Sequence, residues 1–572
     1  MDLLAVLIAF SNLLLCLSLL RASSLKSIVY WFGNWFPRGH MVIGIGFLVD
    51  PVAATLALVA AFLTVLALIF SWGSMESGQN HYQPLMLIFL AAMTGFCFTA
   101  DLFNLFVFFE LMSTTAFALC GLKIEEPAPL QGSFNFAVTN TVGAFFSLTG
   151  IGLLYGATGA LNMAQMGSLL RTRHDSLVLT ASVFLLSGFL IKGAVVPFHF
   201  WLPDAHSVSP TPVCVLFSGL MVELGLFAIL RVSIVIFGST FNAGPNPLKI
   251  SFLVLGALTA LWGGVMSFAE HHLKRILAFS TISHAGAMLF ALGIGTRAAI
   301  AGWLIYVVAH AMIKSGLFFT AGILLHRLRT MSEPALFARA SKLTFTGWLW
   351  LLGGCGLAGL PPFATALGEG IISDTGNGLI ASAAKISFFL SGSLTAGAVL
   401  RVFLRVFCGL GDNGPSDRSS QVDELPETHK GNQSIPLHLF GPAALCTLCG
   451  GALALIPSIK SFALSAASRM VSQSGYINLI YARPTAVQRP AALLHVSLLS
   501  IFSHGLLAFG AACILAAWAV FYQKVPRRFR WPSRLEGRMS LPRQLQSGQP
   551  ADYVVWIMVG VAAFGSIVFV LR

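Results

Sequence analysis

Phe189-Leu190-Ile191-Lys192-Gly193-Ala194-Val195-Val196-Pro197 is the stretch whose reading decides the fold. It ends an apolar run at 178–198. Such a run is long enough to cross a hydrocarbon layer of about 30 Å. A lysine and a proline nevertheless interrupt it. Proline removes a backbone donor and breaks a helix, and freed carbonyls at membrane depth are tolerated only beside protein or water. A second run, 343–368, is broken in the same way at Gly359-Leu360-Pro361-Pro362-Phe363, and Glu369 follows it. Paired broken helices in two halves of a chain point to an ion site in a repeat-built transporter. The plainer reading is a pair of ordinary proline kinks at Pro197 and at Pro361 and Pro362.

The remainder of the chain fits the membrane setting. Of 572 residues, 56% are hydrophobic and only 10% are charged. A soluble domain carries about 25% charged residues. About fifteen apolar runs recur from 2–20 to 553–571, which predicts an all-α polytopic membrane protein of about 15 transmembrane helices. Met1-Asp2-Leu3 lacks a basic leader region, so the first run reads as a span and not as a cleaved signal. Three polar stretches, 410–436, 458–492 and 523–552, are each too short for a soluble domain. The expected organisation is N-terminal helices at 1–83, a core at 84–410, and C-terminal helices with a basic linker at 411–572.

The net charge of +13 sits in short loops, where it signals topology and not nucleic-acid binding. Segment 523–552 carries Lys524, Arg527, Arg528, Arg530, Arg534, Arg538 and Arg543 against Glu536 and Asp552. This places it in the cytoplasm, at the inner membrane of a cell. Counting back puts His271, His272, Lys274 and Arg275 on the same side, with Arg327, Arg329, Arg339, Lys342 and the N-terminus. Arg21 and Lys26 argue locally for the opposite.

Several chemistries are excluded. The nine cysteines have no iron–sulfur or zinc spacing. Cys446-x-x-Cys449 lies in a Leu/Ala/Gly helix where both pack as small residues. There is no Walker loop, no GxGxxG and no HExxH. No cofactor or metal is expected, and no catalytic redox site. Energy must come from an ion gradient or a partner subunit.

The informative residues are the charges inside spans, since each costs about 2.5–3.5 kcal/mol at a span centre unless it has a partner or a wet cavity. They are Glu110, Lys192 at the first break, Glu223, His284, His310 with Lys314 one helical turn on, and Glu369 past the second break. Carboxylate, imidazole and amine can exchange protons once desolvation and neighbouring charges bring their affinities together. The competing reading is a set of ion pairs that lock helices together. Asp50, beside Pro51, reads as a helix-end residue, and His438, His495 and His504 as packed or interfacial histidines.

In order along residues 30 to 410, the motifs carry a resemblance. Thr99-Ala100-Asp101-Leu102-Phe103-Asn104-Leu105-Phe106-Val107-Phe108-Phe109-Glu110 and Gly159-Ala160-Leu161-Asn162-Met163 are followed by Lys192…Pro197-Phe198-His199-Phe200-Trp201-Leu202-Pro203-Asp204-Ala205-His206. Leu273-Lys274-Arg275-Ile276-Leu277-Ala278-Phe279-Ser280, His310-Ala311-Met312-Ile313-Lys314 and Leu357-Ala358-Gly359-Leu360-Pro361-Pro362 complete the set. The pattern resembles the D-type subunits of Mrp cation/proton antiporters and the antiporter-like subunits of respiratory complex I and membrane-bound group 4 hydrogenases. The resemblance implies two inverted five-helix repeats, each with a broken helix. It also implies a Glu110–Lys192 pair, an exit at Glu369, and His284, His310 and Lys314 on a second-half polar axis. The chain departs from the family at Glu223, where relatives usually hold lysine, and at Glu369, where the Mrp relatives hold lysine too.

The leading expectation is a proton- or Na⁺/H⁺-translocating subunit of a multi-subunit membrane complex, with a redox or hydrogenase module among its partners. The alternatives are a self-contained cation/proton antiporter and a non-conducting scaffold subunit.

Overall fold

A computed structural model of the chain describes residues 1–39, 41–73, 79–173, 175–241, 246–375, 378–411, 435–483, 498–522 and 545–571. The basic residues Lys524 to Arg543, and His495, lie outside the described residues.

The chain is helical except for one hairpin among the described residues. Helix α1 (Asp2–Leu25) leads into strands β1 (Ile28–Trp31) and β2 (Gly46–Val49), paired antiparallel with Ile28 opposite Val49. Then come α2 (Pro51–Phe70), α3 (Gln79–Phe98), α4 (Leu102–Cys120), α5 (Pro127–Thr158), α6 (Met163–Leu169), α7 (Ser176–Lys192) and α8 (Trp201–Val208). Helices α9 (Thr211–Val235), α10 (Pro247–Ala269), α11 (Leu273–Ile294) and α12 (Arg297–Leu328) form the centre. Helices α13 (Thr344–Leu357), α14 (Ala364–Thr375) and α15 (Leu379–Phe407) follow. The chain ends with α16 (Leu437–Leu455), the short α17 (Ile459–Val471) and α18 (Gln473–Ile480), α19 (Leu498–Val520) and α20 (Pro550–Val570).

Among the described residues, thirteen helices are long and apolar enough to span a membrane. The difference from fifteen is physical. The two runs that do not form one long helix are those carrying the proline breaks: 178–198 yields only the 17-residue α7, and 343–368 is divided between α13 and α14. The stretch 458–492 also differs from a plain polar tail, because residues 459–480 form α17 and α18, packed against the bundle with Ala463, Ala467, Met470 and Tyr476 buried.

Helix starts are written locally. Asp50, Asp101, Asn162, Asp175 and Asn246 each accept a hydrogen bond from a first-turn backbone N–H, satisfying a donor that the helix leaves orphaned. Pro51, Pro127, Pro247 and Pro550 stand at first-turn positions, where no donor is needed. Burial separates centre from periphery. The spans of α9 and α11 are 100% buried, whereas that of α1 is 17% buried and those of α19 and α20 are 28%. Helices apolar on all sides and buried throughout can only be the middle of the bundle.

Contacts fix which ends lie together. The hairpin end gathers Phe47 against Thr99, Asp101 against Asn162, Asp50 against Arg231, and Arg469 on the carbonyls of Ser23 and Ser24. The opposite end gathers Asp2 with Gln83, Asp204 with Arg275 and Gln546, and Glu333 with Arg401. The N-terminus, the start of α11 at Arg275 and the described end of the basic linker therefore share one face of the molecule. Helix α7 runs from the hairpin end toward its break, and α13 approaches its break from the opposite end.

Candidate functional site

Both breaks satisfy their own backbone. At the first, Val195 N–H reaches Leu190 O (3.1 Å), Trp201 Nε1 donates to Ile191 O (2.9 Å), and Val196 N–H is taken by Thr259 Oγ1 (3.0 Å). At the second, Leu360 N–H reaches Cys355 O (3.1 Å), and Thr365 Oγ1 donates to Gly356 O (2.7 Å). Each turn passes through one residue of positive φ, Ala194 (49°) and Gly359 (67°). Gly359 has a second constraint, since a Cβ there would lie 2.7 Å from Glu369 Oε2. These are the protein-lined interruptions that a hydrocarbon setting permits.

Lys192, the last residue of α7, is fully buried. Its ammonium donates to Ser113 Oγ (2.8 Å) and lies over the Phe109 ring, 5.1 Å from the centroid. Glu110 is half-buried one turn away on α4, close enough to interact with Lys192 electrostatically. The two side chains make no direct ion pair, which leaves a bridging water as the form the expected pair would take. Ser113, three residues along the same helix face, holds the lysine instead, and Glu110 Oε1 has no partner among the described residues.

The centre of the bundle holds a second group. Helix α9 contains a π-helical turn at Phe217–Met221, a distortion frequent at functional sites. Glu223 follows it, and its Oε1 lies 2.8 Å from His310 Nδ1 on α12. The His310 ring is 5.1 Å from that of His284. His284 is held at both nitrogens, Nδ1 by Tyr306 OH (2.6 Å) and Nε2 by Thr395 Oγ1 (3.1 Å). Lys314 does not pair with Glu223 but donates to Leu277 O (2.5 Å) and Ser280 Oγ. Lys274 donates to Ser209 O (2.8 Å). Fully buried His206 stacks on Phe318, with ring centroids 4.8 Å apart.

Along this row several buried polar atoms have no partner among the described residues: Glu110 Oε1, Glu223 Oε2, His310 Nε2 and both His206 ring nitrogens. Buried polar atoms are nearly always hydrogen-bonded, to protein or to water. These atoms stand on α4, α8, α9 and α12 and are groups that an ordered water could satisfy.

The other motif residues hold structure. Asp101 caps α4 by accepting from Asn104 N–H (2.8 Å). Asp204, after Pro203, receives Arg275 (3.3 Å) and the Tyr553 hydroxyl (2.6 Å). Asp50 is a helix cap and also pairs with Arg231 (2.5 Å), a buried charge within a span that sequence reasoning passes over. Sequence reasoning also passes over Tyr306, though a signal is present: Tyr306, His310 and Lys314 recur every four residues on one face. Glu333 is missed as well. Burial pushes this loop carboxyl up, but Arg401 (2.8 Å), His271 (3.1 Å) and Arg405 (3.2 Å) outweigh that and hold it at about 2.

The sequence and the fold are similar to those of known proteins. Residues 99–391 match the family model described as NADH:quinone oxidoreductase/Mrp antiporter, transmembrane region, and residues 35–83 match that of the complex I chain 5 N-terminus. The chain is 30% identical to the D-type subunit of the Na(+)/H(+) antiporter of Bacillus subtilis, over 71% of this chain and 79% of that one. It is 33% identical to the N-type subunit of the NADH-quinone oxidoreductase of Desulforudis audaxviator, over 58% of this chain and 66% of that one, just under two thirds of the relative's length. Among solved structures, a chain of the Mrp complex from Dietzia sp. DQ12-45-1b superposes with a TM-score of 0.71 at 22% identity, covering 84% of this chain and 94% of that one. A chain of an archaeal respiratory complex, the membrane-bound sulfane sulfur reductase, gives 0.72 at 23% identity, with the same coverage of 84% and 94%.

Proposed function

This chain belongs to the family of antiporter-like membrane subunits shared by complex I and Mrp antiporters, and we propose that it moves protons along its buried polar row. The row is Glu110 and Lys192, then Glu223 with His310, then His284 with Tyr306, and finally Glu369. The chain would work within a multi-subunit membrane complex, driven by redox chemistry on other subunits or by an ion gradient. The end bearing Arg275, Glu333 and the basic linker would face the cytoplasm. The helices around the two breaks would form two inverted five-helix repeats, a reading supported by the opposite directions of α7 and α13.

The observation that carries this reading is the buried line Glu223–His310–His284–Tyr306, in which each group lies against the next. A proton arriving at one imidazole nitrogen can leave from the other. A carboxylate facing a cation is favoured in its charged form, while burial opposes that charge. A change of charge on His310 or Lys314 therefore shifts the balance at Glu223. A scaffold role fits less well, because buried ionisable groups without full partnering are costly and gain nothing by being retained.

Two substitutions test the row. Glu110→Ala removes a carboxylate that has little structural bonding, so the complex should assemble while ion translocation into membrane vesicles is abolished. Normal translocation would remove Glu110 from the path. Tyr306→Phe deletes the hydroxyl on His284 at a net cost of about 0.5–1.5 kcal/mol in stability. It should slow translocation by about tenfold, since a positioned proton-transfer group contributes at least that much. An unchanged rate would make the tyrosine a packing residue.

A further inference from the structure

The two C-terminal spans each rest on one helix break. On α20, a Cβ at Gly560 would come within 2.7 Å of Pro197 Cγ. On α19, a Cβ at Gly505 would collide with Gly359 O and come within 3.0 Å of Pro361 Cδ. Only glycine lets the α19 backbone lie so close to the second break, and this approach brings the preceding residue, His504, alongside Glu369. Glu369, Ser373 and His504 line one small cavity of about 10 Å³, with Gly359 and Gly505 in its wall. That volume admits about one water, and a water needs two to four polar partners to be held. The cavity supplies three such side chains. Ser373 Oγ is buried and has no partner among the described residues. Glu369 is 8% exposed. His504 is half-buried, while its neighbours Phe502, Leu506 and Leu507 point outward from the bundle.

We propose that His504 is a relay group at the outer end of the path, exchanging protons with Glu369 through a single water held between them and Ser373. The proton of the Glu369 carboxyl passes to the water as the water gives one of its own to the imidazole. The second ring nitrogen can then release a proton toward the near end of the span, since His504 lies in the first turn of Ile501–Val520, and the reverse sequence loads the path. This rests on the proposed translocation and extends it from the second break to the edge of the protein. It gives α19 a chemical role in addition to its packing.

The test uses the native complex in inverted membrane vesicles, comparing His504→Gln, His504→Asp and Glu369→Gln, with assembly checked by co-purification. With His504→Gln, which keeps size and polarity but cannot carry a proton, the rate should fall by about 100-fold, the low end for a positioned acid–base group. With His504→Asp, which can carry one, much of the rate should return. If His504→Gln runs at the parental rate while Glu369→Gln is inactive, the His504 relay is wrong and the proposed path stands. If both run at the parental rate, the path through Glu369 falls as well. If His504→Gln and His504→Asp are equally slow in an assembled complex, the imidazole is structural and the inference is overturned.

Discussion

Replacing Glu223 with Gln should nearly stop proton translocation, by about 100-fold or more, while leaving the bundle intact. The amide keeps the size of the side chain and can still bond His310 Nδ1, now 2.8 Å from Glu223 Oε1. It cannot take a proton, so the centre of the row loses its carboxylate. The milder substitution is the informative one. Alanine would leave a cavity and an unpaired imidazole, and a loss of function could then be a loss of fold. Glu223→Lys installs the residue type that the resemblance leads one to expect at this position, but it should not restore transport. It would set a third ammonium among Lys192 and Lys314, both fully buried, and opposite His310 where a carboxylate now stands. Like charges in so dry a setting oppose one another strongly. Proton uptake by vesicles from the two variants decides the matter, and a lysine variant that pumps like the parent would show that His310 needs no anionic partner.

Replacing Glu333 with Gln should have the largest effect on stability, about 3–5 kcal/mol. Glu333 is fully buried, and its carboxylate takes Arg401 at 2.8 Å, Arg405 at 3.2 Å and His271 at 3.1 Å. Removing the negative charge leaves two guanidinium groups half-compensated, with Arg401 still bound to Glu270 O at 2.5 Å. The same cluster sets an acid limit. Glu333 is held at about 2, below its ordinary 4.5. Its contribution is therefore complete above about 4.5 and is lost as the pH falls through about 2. The thermal midpoint of the detergent-solubilised complex should drop for the variant at neutral pH. For the parent it should fall across that acid window, and the fall should be much smaller in the variant. A variant as heat-stable as the parent would mean that the arginines find other acceptors.

Much of this molecule is legible from its sequence, because the strongest terms are local. Length and apolarity of a run fix whether it can span a bilayer, and thirteen of the fifteen expected runs are such helices among the described residues. The two exceptions are marked by Pro197 and by Pro361 with Pro362, since the missing N–H of proline acts on its own turn wherever that turn lies. Charges inside spans are visible for the same reason, as each is costly at its own position in the chain. Partners are not visible. Glu223 meets His310 across 87 residues of sequence, His284 meets Thr395 across 111, and Tyr553 meets Asp204 across 349. The sequence, through its resemblance, pairs Lys192 with Glu110 and leaves His504 without a charged companion. Packing adds Ser113 as the lysine's acceptor and, through the close approach of Gly505, puts His504 and Glu369 in the wall of one cavity. Hydrophobic burial selects which helices span but is non-directional, so it does not choose neighbours. That choice comes from shape at close contacts and from hydrogen-bond geometry, which exist only once the helices have packed.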